Sequence, residues 1–435
     1  MKYYCIGIKG TGMSTLAQIL ADLGNEVSGY DDAKEYKFTE EGLRKRGIKI
    51  YYDSEHGIDK DTIVTHSVAF SDDHKEIKRV KELGLQIKKY NEILGEVVSM
   101  FDTTGVSGTH GKTTTSSMIK HIFENTIGCN YFIGAGDGYA SKENEKFVIE
   151  ADEFNRHFLA YHPNYAIITN IEEEHMEIYN DLEDIKRTFN EYANNTKKLV
   201  IACGDNENVR SLDYKTEVIF YGFNDNNDVI AKDEKVIAGY SEFDVYYNGE
   251  KLEHFKLPLV GHHMVLNATA AIMACYKQGI SLEDIKNNLL TFKNAKRRFV
   301  EEKVKDTVII DDYAHHPTEI RVTLEAARLK YPDKKLIAIF KPNTYSRTRD
   351  FKEDFAKVLG TADEVYLTEI DCNREKSEDY DGVTSRTITD LIPESKIIDE
   401  NTLEGLGDIN DKVICVMSCA YTNHLIDNIK KKLEN

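Results

Sequence analysis

The segment Gly105–Thr115 constrains the fold of this chain more than any other part of the sequence. It reads Gly-Val-Ser-Gly-Thr-His-Gly-Lys-Thr-Thr-Thr and follows the largely apolar run Val97–Phe101. The apolar residues of Ser116–Phe123 then recur at helical spacing. A glycine-rich loop that opens a helix, with a lysine and a threonine at its end, is typical of a cradle for phosphate groups. The segment therefore predicts a loop–helix unit with an anionic ligand at the start of the helix.

The residue types in this loop suit nucleotide phosphates. Backbone N–H groups would point at the phosphate oxygens, Lys112 would neutralise charge, and the Thr113 hydroxyl would join the shell of a Mg²⁺ ion. A strict P-loop would have glycine at position 106, where this chain has Val106, and Gly108 lies inside a longer loop. The alternative is an ordinary turn rich in glycine and threonine. The Lys-Thr pair just before an amphipathic helix favours the phosphate site.

The length and charge of the chain limit the kind of protein it can be. Its 435 residues exceed what one hydrophobic core usually supports, so two or three domains are expected. The net charge of −19 disfavours binding to nucleic acid or to an anionic membrane, because both would be repelled. An anionic substrate must therefore find a local basic pocket.

Cysteine usage and the N-terminal sequence indicate an intracellular location. The seven cysteines include no Cys-x-x-Cys pair, as in proteins whose thiols stay reduced in the cytosol. Cys415 and Cys419 could form a two-ligand metal clip, but burial as small apolar side chains is the favoured alternative. Met1–Lys9 is charged too early for a signal peptide, and no apolar run approaches the ~20 residues of a membrane span. We expect a soluble, cytoplasmic protein.

The first hundred residues follow the plan of a dinucleotide-binding unit. Tyr3–Ile8 reads as a buried strand, and the turn Gly10-Thr11-Gly12-Met13 then opens a helix. A second strand, Glu26–Tyr30, ends at Asp31, about 20 residues after the glycines, as in a βαβ unit of this kind. Thr15 replaces the third glycine of the pattern, so a tight turn without a ligand is an equal alternative.

The rest of the chain alternates strands and helices, which is typical of parallel sheets with helices on both faces. Ligands of such sheets gather at the carboxyl ends of the strands. We expect domains at residues 1–95, 96–298 and 299–435. The predicted elements of the second and third segments are the strands Phe147–Ile149, Tyr165–Thr169, Leu199–Cys203, Thr307–Asp311, Leu336–Phe340, Val365–Thr368 and Val413–Ser418 and the helices Thr318–Lys330 and Asp350–Val358.

Acidic residues follow two of the predicted strands. Glu150 comes directly after Phe147–Ile149, and the string Glu172–His175 follows Tyr165–Thr169. Mg²⁺ prefers oxygen ligands and substrate phosphates, so Glu150 suits it, whereas the imidazole of His175 is a softer ligand. Each cluster alone is better explained as solvated surface charge. Their shared position after buried strands favours metal and phosphate chemistry.

Histidines and arginines occur at similar places in the third segment. The string Asp311–Glu319 follows its first strand and contains a His-His pair. These histidines could be capping or core residues, or they could complete a site shared across a cleft. Basic clusters occur at Lys296–Arg298 and at Arg347 and Arg349. They are either solvent-facing patches or, in so acidic a chain, sites for phosphate or carboxylate groups.

Together these strings resemble the Mur ligase family, and the resemblance runs nearly end to end. The forms Thr-His-Gly-Lys and Asp-Asp-Tyr-Ala-His-His-Pro are similar to those of the alanine-adding members. Several strings in family order are far more specific than any one of them. They are Gly7–Ser14, Ser107–Thr115, Glu150–Glu153, Thr169–His175, Gly261–Ala268, Arg297–Phe299, Asp311–Glu319 and Tyr345–Asp350.

The resemblance implies an α/β fold of three domains. They would be a Rossmann-like UDP-binding domain, a central P-loop ATPase-like domain with a mostly parallel sheet, and a Rossmann-like C-terminal domain. ATP and Mg²⁺ are the implied cofactors. The implied site residues are Lys112, Glu150, His175, Arg298 and His315 for catalysis; Gly108, Thr109, Gly111, Lys112, Thr113, Thr114, His263, Asn267, Arg298, Asp311 and Asp312 for ATP; Gly10, Thr11, Gly12, Met13, Asp31, Ser67 and His110 for the UDP substrate; Asn343 and Arg347 for the amino acid; and Thr113, Glu150 and His175 for the metal.

The implied reaction joins L-alanine to UDP-N-acetylmuramate in peptidoglycan precursor synthesis. ATP would first phosphorylate the carboxylate, while Lys112, Mg²⁺ and backbone donors stabilise the transferring phosphoryl group. The amine would then displace phosphate, and domain closure would keep water from the acyl phosphate. We expect a monomer or weak homodimer without a nucleic-acid partner or membrane insertion.

Departures from the family pattern concentrate around the implied amino-acid pocket. The family usually has Gln and His around one proline, where this chain has Lys341 and Asn343, and Gly-Ala-Gly-Asp-Ile where it has Ser418–Thr422. A relative acting on a different amino acid or acid is therefore an alternative, as is a catalytically silent UDP-sugar-binding protein. An NAD oxidoreductase, suggested by the first glycine turn alone, would not need the second glycine-rich loop.

Overall fold

The computed structural model describes residues 1–134, 136–176, 178–372 and 375–434 of the chain. Its strands form three sheets. By contacts between residues, the chain divides into two compact units. One unit comprises Met1–Asp233, Phe243–Phe255 and Leu266–Phe292, and the other comprises Glu234–Glu242, Lys256–Val265 and the chain from Lys293 onward.

The first sheet consists of five parallel strands. Its region contains β1 Lys2–Ile6, α1 Thr11–Asp22, β2 Glu26–Tyr30, α2 Glu40–Lys45, β3 Lys49–Tyr51, β4 Thr62–His66, α3 Lys75–Glu82, β5 Gln86–Ile87 and α4 Tyr90–Ser99. The strand order is β3-β2-β1-β4-β5. The order reverses between β1 and β4, and the crevice at such a reversal is where open α/β sheets bind ligands.

The second sheet has ten strands and includes the glycine-rich loop. Its region contains β6 Asp102–Ser107, α5 Lys112–Glu124, β7 Asn130–Ile133, β8 Asp137–Tyr139, β9 Lys146–Glu150, a 3₁₀ helix Phe154–Ala160, β10 Tyr165–Ile168, α6 Leu182–Asn194, β11 Leu199–Cys203, α7 Glu207–Arg210, β12 Val218–Gly222, β13 Val229–Ile237, β14 Tyr240–Tyr247, β15 Glu250–Leu257, α8 His262–Lys277 and α9 Leu282–Leu290. The strand order is β15-β14-β13-β12-β11-β10-β6-β9-β7-β8. Strands β9, β6, β10 and β11 pair in parallel, so their carboxyl ends lie at one edge.

The third sheet has six strands in the second unit. Its region contains β16 Val300–Val304, β17 Thr307–Asp312, α10 Pro317–Lys330, β18 Lys335–Phe340, α11 Tyr345–Asp350, α12 Lys352–Leu359, β19 Glu364–Leu367, a 3₁₀ helix Ser377–Asp379, α13 Arg386–Thr389, β20 Lys396–Ile397, β21 Lys412–Met417 and α14 Asn423–Glu434. The strand order is β16-β17-β21-β18-β19-β20, and only the β16–β17 pair is antiparallel. Alternate residues of β18 enter two cores: Ala338 packs with α10 and α12, and Ile339 packs with α14.

Arg46 forms a clamp between the first sheet's helices and the hairpin β7–β8. Its guanidinium donates to the two carboxylate oxygens of Asp22 at 2.8 Å each and to Gln18 at 2.6 Å. It also donates to the carbonyl oxygens of Gly42 at 3.2 Å and Gly138 at 2.9 Å. All five N–H donors of the side chain are thereby used.

Helix α1 packs closely against the same hairpin. A Cβ on Gly138 of β8 would lie 2.5 Å from the Thr15 methyl group and 3.2 Å from Ile19 of α1. The third glycine of a dinucleotide-binding turn usually permits such packing from the helix side. Here the glycine that permits the close approach is Gly138 of strand β8. Helix α1 can therefore have Thr15 in place of the third glycine.

The structure confirms the predicted parallel α/β class, and the predicted strands Glu26–Tyr30 and Leu199–Cys203 have the observed bounds. The first part of the apolar run Val97–Phe101, for which no element was predicted, ends helix α4, and the strand before the loop is β6. All seven cysteines are free thiols. Cys415 is fully buried in the core of the third sheet, as the packing alternative predicted, whereas Cys419 is only partly buried. Within the described ranges, no helix is both long and apolar enough to cross a membrane.

Candidate active site

Two glycines shape the loop between β6 and α5. Gly108 (φ +138°) and Gly111 (φ +84°) have backbone conformations that L side chains rarely adopt. A Cβ on Gly111 would lie 2.7 Å from Oδ1 of Asn267, and one on Gly108 would collide with the Thr169 hydroxyl. Gly111 is the N-cap of α5 and has no side chain with which to cap it. The N–H groups at the start of α5 are therefore available to an anion, which the helix dipole also favours.

The Lys112 side chain folds back over this loop. Its Nζ donates to the carbonyl oxygens of Gly108 at 2.6 Å and Thr109 at 3.1 Å, and it lies 2.9 Å from Oε1 of Glu153. Burial opposes the charge, but the carboxylates of Glu153 and Asp152 outweigh it and hold the pKa of Lys112 well above its usual value. The side chain is therefore a cation at physiological pH.

Thr113 and Glu150 meet at the carboxyl edge of the second sheet. Strand β9 pairs with β6 in a register that sets Glu150 opposite Val106. The Thr113 hydroxyl lies 3.0 and 3.1 Å from the two carboxylate oxygens of Glu150, and the Gly134 N–H donates to Oε2 at 2.9 Å. Thr114 follows in the same turn of α5 and is buried. The structure thus brings together two oxygen donors that were predicted for a Mg²⁺ ion.

His175 belongs to a second cluster of this unit, with Glu153 and Glu174. One potential ligand atom from each residue lies within 4.8 Å of the other two. The distance from His175 Nε2 to Glu153 Oε1 is 4.0 Å, and the His175 backbone has a left-handed φ of +58°. Two carboxylates and one imidazole are a donor set that can hold a divalent cation.

The members of the predicted metal set make different contacts. Thr113 contacts Glu150, whereas His175 is grouped with Glu153 and Glu174, which sequence reasoning did not select. Burial raises the pKa of Glu153 to about 7, and the charge of Lys112 acts in the opposite direction. The sequence did contain a signal for Glu153, because this residue ends the string Glu150–Glu153 that follows a predicted strand. Spacing alone does not show which carboxylate turns toward the histidine.

His110 is held by the end of strand β10. Its backbone N–H donates to Oδ1 of Asn170 at 2.8 Å, and its carbonyl oxygen accepts from the Thr169 hydroxyl at 2.6 Å. The His110 ring nitrogen Nε2 lies 3.4 Å from Oε2 of Glu172. The residues after β10 thus fix the loop on the side opposite to Glu150.

The first glycine turn lies at the point where the order of the first sheet reverses. Gly7 has φ +79°, and a Cβ there would lie 2.8 Å from the Phe70 ring and 2.9 Å from Cβ of Ser67, just after β4. Gly10 is the N-cap of α1 and offers no capping side chain. The residues Thr11–Met13 form the first turn of α1, so their N–H groups can receive an anion in this crevice.

Asp31 braces that turn. Its carboxylate accepts from the backbone N–H of Lys9 at 2.9 Å and of Ala33 at 3.0 Å, and its side chain is buried. Lys9 is also buried and pairs with Glu40 at 2.7 Å. Asp31 therefore has a structural role at the turn, in addition to the substrate contact predicted for it.

In the second unit, Asp312 ties the end of β17 to the segment before β16. Its Oδ2 accepts from the Phe299 N–H at 2.7 Å and its Oδ1 accepts from the Ala314 N–H at 2.8 Å. Burial raises the pKa of Asp312 to about 6, against the opposing charge of Arg298. The Arg298 guanidinium lies over the Tyr313 ring, 4.9 Å from its centroid. The structure thus groups Arg298 and Asp312 as predicted.

The two histidines after β17 have different environments. His316 is the N-cap of α10, accepts from the Thr318 N–H at 3.4 Å and forms a capping box with Glu319. The His315 ring nitrogen Nδ1 lies 3.1 Å from Oε2 of Glu319 and 3.0 Å from the Tyr313 carbonyl oxygen. The capping alternative is therefore correct for His316, whereas Glu319 orients the His315 ring.

The residues predicted to meet the amino acid are in contact. Arg347 donates from Nη1 to Oδ1 of Asn343 at 3.2 Å. Asn343 lies in the loop after β18, and Arg347 lies in α11. At the same carboxyl edge, Oδ1 of Asp311 accepts from the Thr422 hydroxyl at 3.0 Å. The third sheet thus presents a cation and several polar groups at its ligand-binding edge.

His263 and Asn267 both lie in α8. Burial, together with the charges of Arg321 and His262, lowers the pKa of His263 to about 4, so its imidazole is neutral at physiological pH. Asn267 approaches the glycine-rich loop, because its amide is what a Cβ on Gly111 would strike.

Comparisons with known proteins account for nearly the whole chain. Residues 2–102 match the Mur ligase family catalytic domain, residues 106–275 the Mur ligase middle domain, and residues 297–420 the Mur ligase glutamate ligase domain. The chain belongs to the Mur ligase family. This Mur ligase is 44% identical over 417 residues to the UDP-N-acetylmuramate–L-alanine ligase of Lactiplantibacillus plantarum, and 42% identical over 416 residues to that of Pediococcus pentosaceus. In both cases the match covers 95% of each chain.

The fold agrees with a solved member of the family. The structure superposes on the crystal structure of UDP-N-acetylmuramate-alanine ligase from Thermotoga maritima with a TM-score of 0.81 at 26% identity, covering 100% of this chain and 99% of that one. The Mur ligase therefore has the three-domain architecture of its family, and it is an ATP-dependent enzyme that forms amide bonds. Its departures Lys341, Asn343 and Ser418–Thr422 follow β18 and β21, at the carboxyl edge of the third sheet.

Proposed function

We propose that this chain is the ATP-dependent ligase that joins L-alanine to the carboxylate of UDP-N-acetylmuramate in the synthesis of peptidoglycan precursors. Relatives with that name are 42–44% identical over 95% of the chain. The observation that carries the proposal is the loop before α5, where a helix start without a side-chain cap, the Lys112 ammonium and the Thr113–Glu150 oxygens lie together. These are the groups that hold a nucleoside triphosphate and its metal ion.

In the first half-reaction, a carboxylate oxygen of the UDP substrate attacks the γ-phosphorus of ATP, and ADP leaves. A free carboxylate is a poor acceptor for an amine, and the acyl phosphate is a better one. Lys112 and the N–H groups at the start of α5 stabilise the negative charge on the transferring phosphoryl group. Gly108, Thr109 and Thr114 complete this side of the proposed ATP site.

The oxygen donors of this unit suit Mg²⁺. The Thr113 hydroxyl and the Glu150 carboxylate are 3.0 Å apart, and Glu153, Glu174 and His175 form a further group of potential ligands. Mg²⁺ prefers hard oxygen ligands and substrate phosphates, so the first pair fits it better than the imidazole does. When bound, the ion would neutralise phosphate charge and align the phosphates for transfer.

In the second half-reaction, the amine of alanine attacks the acyl carbon, phosphate leaves, and the nitrogen gives up a proton. Arg347, with Asn343, is the proposed site for the amino acid's carboxylate, because a guanidinium can bind a carboxylate through two parallel hydrogen bonds. Domain closure would keep water from the acyl phosphate in the meantime.

The UDP end of the substrate is assigned to the first sheet. An anion at the start of α1 would be stabilised by the same helix-terminus effect as at α5. Ser67 and Asp31 line that turn, and His110 faces the substrate from the second sheet's loop. For the nucleotide, we propose further contacts from His263, Asn267, Arg298, Asp311 and Asp312, and for His315 a catalytic role. The proposed domains end at residues 95 and 298. The protein is proposed to be a cytoplasmic monomer or weak homodimer.

A phosphate-release assay tests this function. Purified protein with Mg²⁺, ATP and UDP-N-acetylmuramate should release phosphate only when an amino acid is added, and alanine should be preferred. Equal release with every amino acid would contradict the assignment to alanine, and no release with any would contradict ligase activity. A titration with ATP and NAD in parallel excludes or supports the oxidoreductase alternative.

A further inference from the structure

Lys341 is a buried lysine at the carboxyl end of β18. Its side chain is only 5% exposed. Its Nζ lies 2.9 Å from Oδ2 of Asp371, 2.8 Å from Oε2 of Glu400 and 3.2 Å from the carbonyl oxygen of Tyr421. An ammonium group has three N–H donors, so each can have its own acceptor here. A buried cation is costly unless it is paired in this way.

The three partners of Lys341 come from three different loops. Asp371 follows β19, Glu400 follows β20 and Tyr421 follows β21. Strands β21 and β19 flank β18, and β20 lies next to β19, in the order β21-β18-β19-β20. In addition, the Ser418 hydroxyl donates to the carbonyl oxygen of Lys341 at 2.7 Å. One ammonium group therefore holds the loops after four adjacent strands.

The Lys341 cluster has one more negative charge than positive charge. Two carboxylates share a single ammonium, and both are partly exposed: 44% of the Asp371 side chain and 34% of the Glu400 side chain. Like charges this close repel each other, and Lys341 offsets this repulsion because it pairs with both carboxylates. The cluster lies at the carboxyl edge of the sheet, where α/β folds bind their ligands.

We propose that Lys341 is a positioning residue for the amino-acid substrate. It holds the loops after β18, β19, β20 and β21 in the arrangement that forms the amino-acid pocket. This inference rests on the proposed ligase function and on Arg347 as the carboxylate site. Asn343 and Arg347 follow Lys341 in the same segment, so a shift of this loop moves them too. Without the ammonium group, electrostatic repulsion between the Asp371 and Glu400 carboxylates increases the distance between their loops.

The test is steady-state kinetics on Lys341→Gln. The KM for L-alanine should rise about tenfold or more, while the KM values for ATP and UDP-N-acetylmuramate change by less than about twofold. In the triple variant K341Q/D371N/E400Q, the repulsion is gone, and the KM for alanine should return to within about threefold of the wild type. Recovery of the KM would show that charge, and not a lost contact, caused the effect of Lys341→Gln. The triple variant has lost even more of the native contacts than Lys341→Gln, so a role based on contacts alone predicts no recovery.

Lys412→Gln is the matched control. Lys412 starts β21 at the opposite edge of the same sheet, is 12% exposed, and pairs with Glu364 at 2.5 Å. Its replacement should lower the melting temperature without changing the KM for alanine. The proposal is overturned if Lys341→Gln also lowers only the melting temperature, or if both variants raise this KM equally.

Further variants keep the test decisive if Lys341→Gln fails to fold. Glu400→Gln removes the repulsion between the two carboxylates and leaves Lys341 paired with Asp371, so the KM for alanine should stay within about threefold of the wild type; a tenfold increase overturns the proposal, because it would arise without any repulsion. A wild-type protein that releases no phosphate with any amino acid would instead remove the proposed function, and this inference with it.

Discussion

The ammonium nitrogen of Lys112 lies 2.9 Å from a carboxylate oxygen of Glu153, and the two side chains are only 14% and 4% exposed. The lysine that is proposed to grip the nucleotide therefore already has an anionic partner within the protein. A phosphate group at the loop must compete with Glu153 for the same positive charge.

Replacing Lys112 by methionine should reduce amino-acid-dependent phosphate release by about 10²–10³-fold, because one charged donor to the phosphoryl group is lost. Glu153 would also be left buried without its cation, and breaking such a pair costs about 3–5 kcal/mol. A protonated Glu153 avoids most of this cost. The pKa of Glu153 is about 7 even with Lys112 present, so below pH 7 the carboxyl group is protonated in both proteins. The difference in the free energy of unfolding between the wild type and the variant should therefore grow as the pH rises above 7. Denaturant unfolding at several pH values measures it.

The double variant K112M/E153Q separates the two effects. Removing the carboxylate should recover most of the stability lost at high pH, while phosphate release stays low. A double variant with wild-type activity would contradict the role assigned to Lys112.

Gly111→Ala and Gly249→Ala form a matched pair, since both glycines have φ +84°. Each substitution should cost about 1–2 kcal/mol of stability through the left-handed backbone. At Gly111 the new Cβ would lie 2.7 Å from Asn267, whereas a Cβ on Gly249 would have no atom of the described chain within 4 Å apart from its own residue and chain neighbours. ATP affinity, measured by titration, should therefore fall only in Gly111→Ala. Equal affinities in the two variants would show that the close approach to Asn267 does not matter for the nucleotide.

Asp312 should make the free energy of unfolding fall as the pH rises from 3.8 to 6. Its pKa in the folded protein, about 6, is above the ordinary value of 3.8, so the folded chain binds more protons in this window and loses stability as they leave. The difference between these two pKa values corresponds to roughly 3 kcal/mol. Asp312→Asn should therefore show a flatter dependence over the same range, in chemical denaturation at a series of pH values. Parallel curves for the two proteins would contradict the buried carboxyl group.

Arg347→Met should raise the KM for the amino acid by about 10–100-fold, because the guanidinium proposed to bind its carboxylate is lost. Arg349→Met is the control in the same helix. Arg349 is 55% exposed and pairs with Asp350, its neighbour in the chain. Initial rates at varied alanine concentration compare the two. The same increase in both variants would indicate a general effect of positive charge rather than a carboxylate site.

The sequence predicted the elements of the fold better than the partners within the site. Strands such as Leu199–Cys203 are continuous apolar runs between turns, and alternation with helices requires parallel sheets. The run Val97–Phe101 shows the limit: it has no helix or strand prediction, because a short apolar run alone does not distinguish the end of a buried helix from a strand. The pairing of Thr113 with Glu150 was within reach, since both follow neighbouring parallel strands.

The strings that contain Glu153, Glu174 and His175 could be selected from the sequence, but the grouping of these three side chains could not. It depends on backbone conformations that no periodicity reveals, including positive φ angles at His175, Asn155 and Arg156. Lys341 was likewise visible only as a departure from a family pattern. Its three acceptors come from loops up to 80 residues away along the chain.

The Arg46 clamp has a consequence for building chimaeric enzymes. Two of its five hydrogen bonds go to backbone carbonyl groups, and the one that reaches the hairpin ends at Gly138. An exchange of the first hundred residues with those of a relative would therefore tolerate most side-chain differences in the recipient hairpin. The exception is position 138 itself: a Cβ there would lie 2.5 Å from the Thr15 methyl group of the donor's first helix, so the recipient chain must itself have glycine at this position.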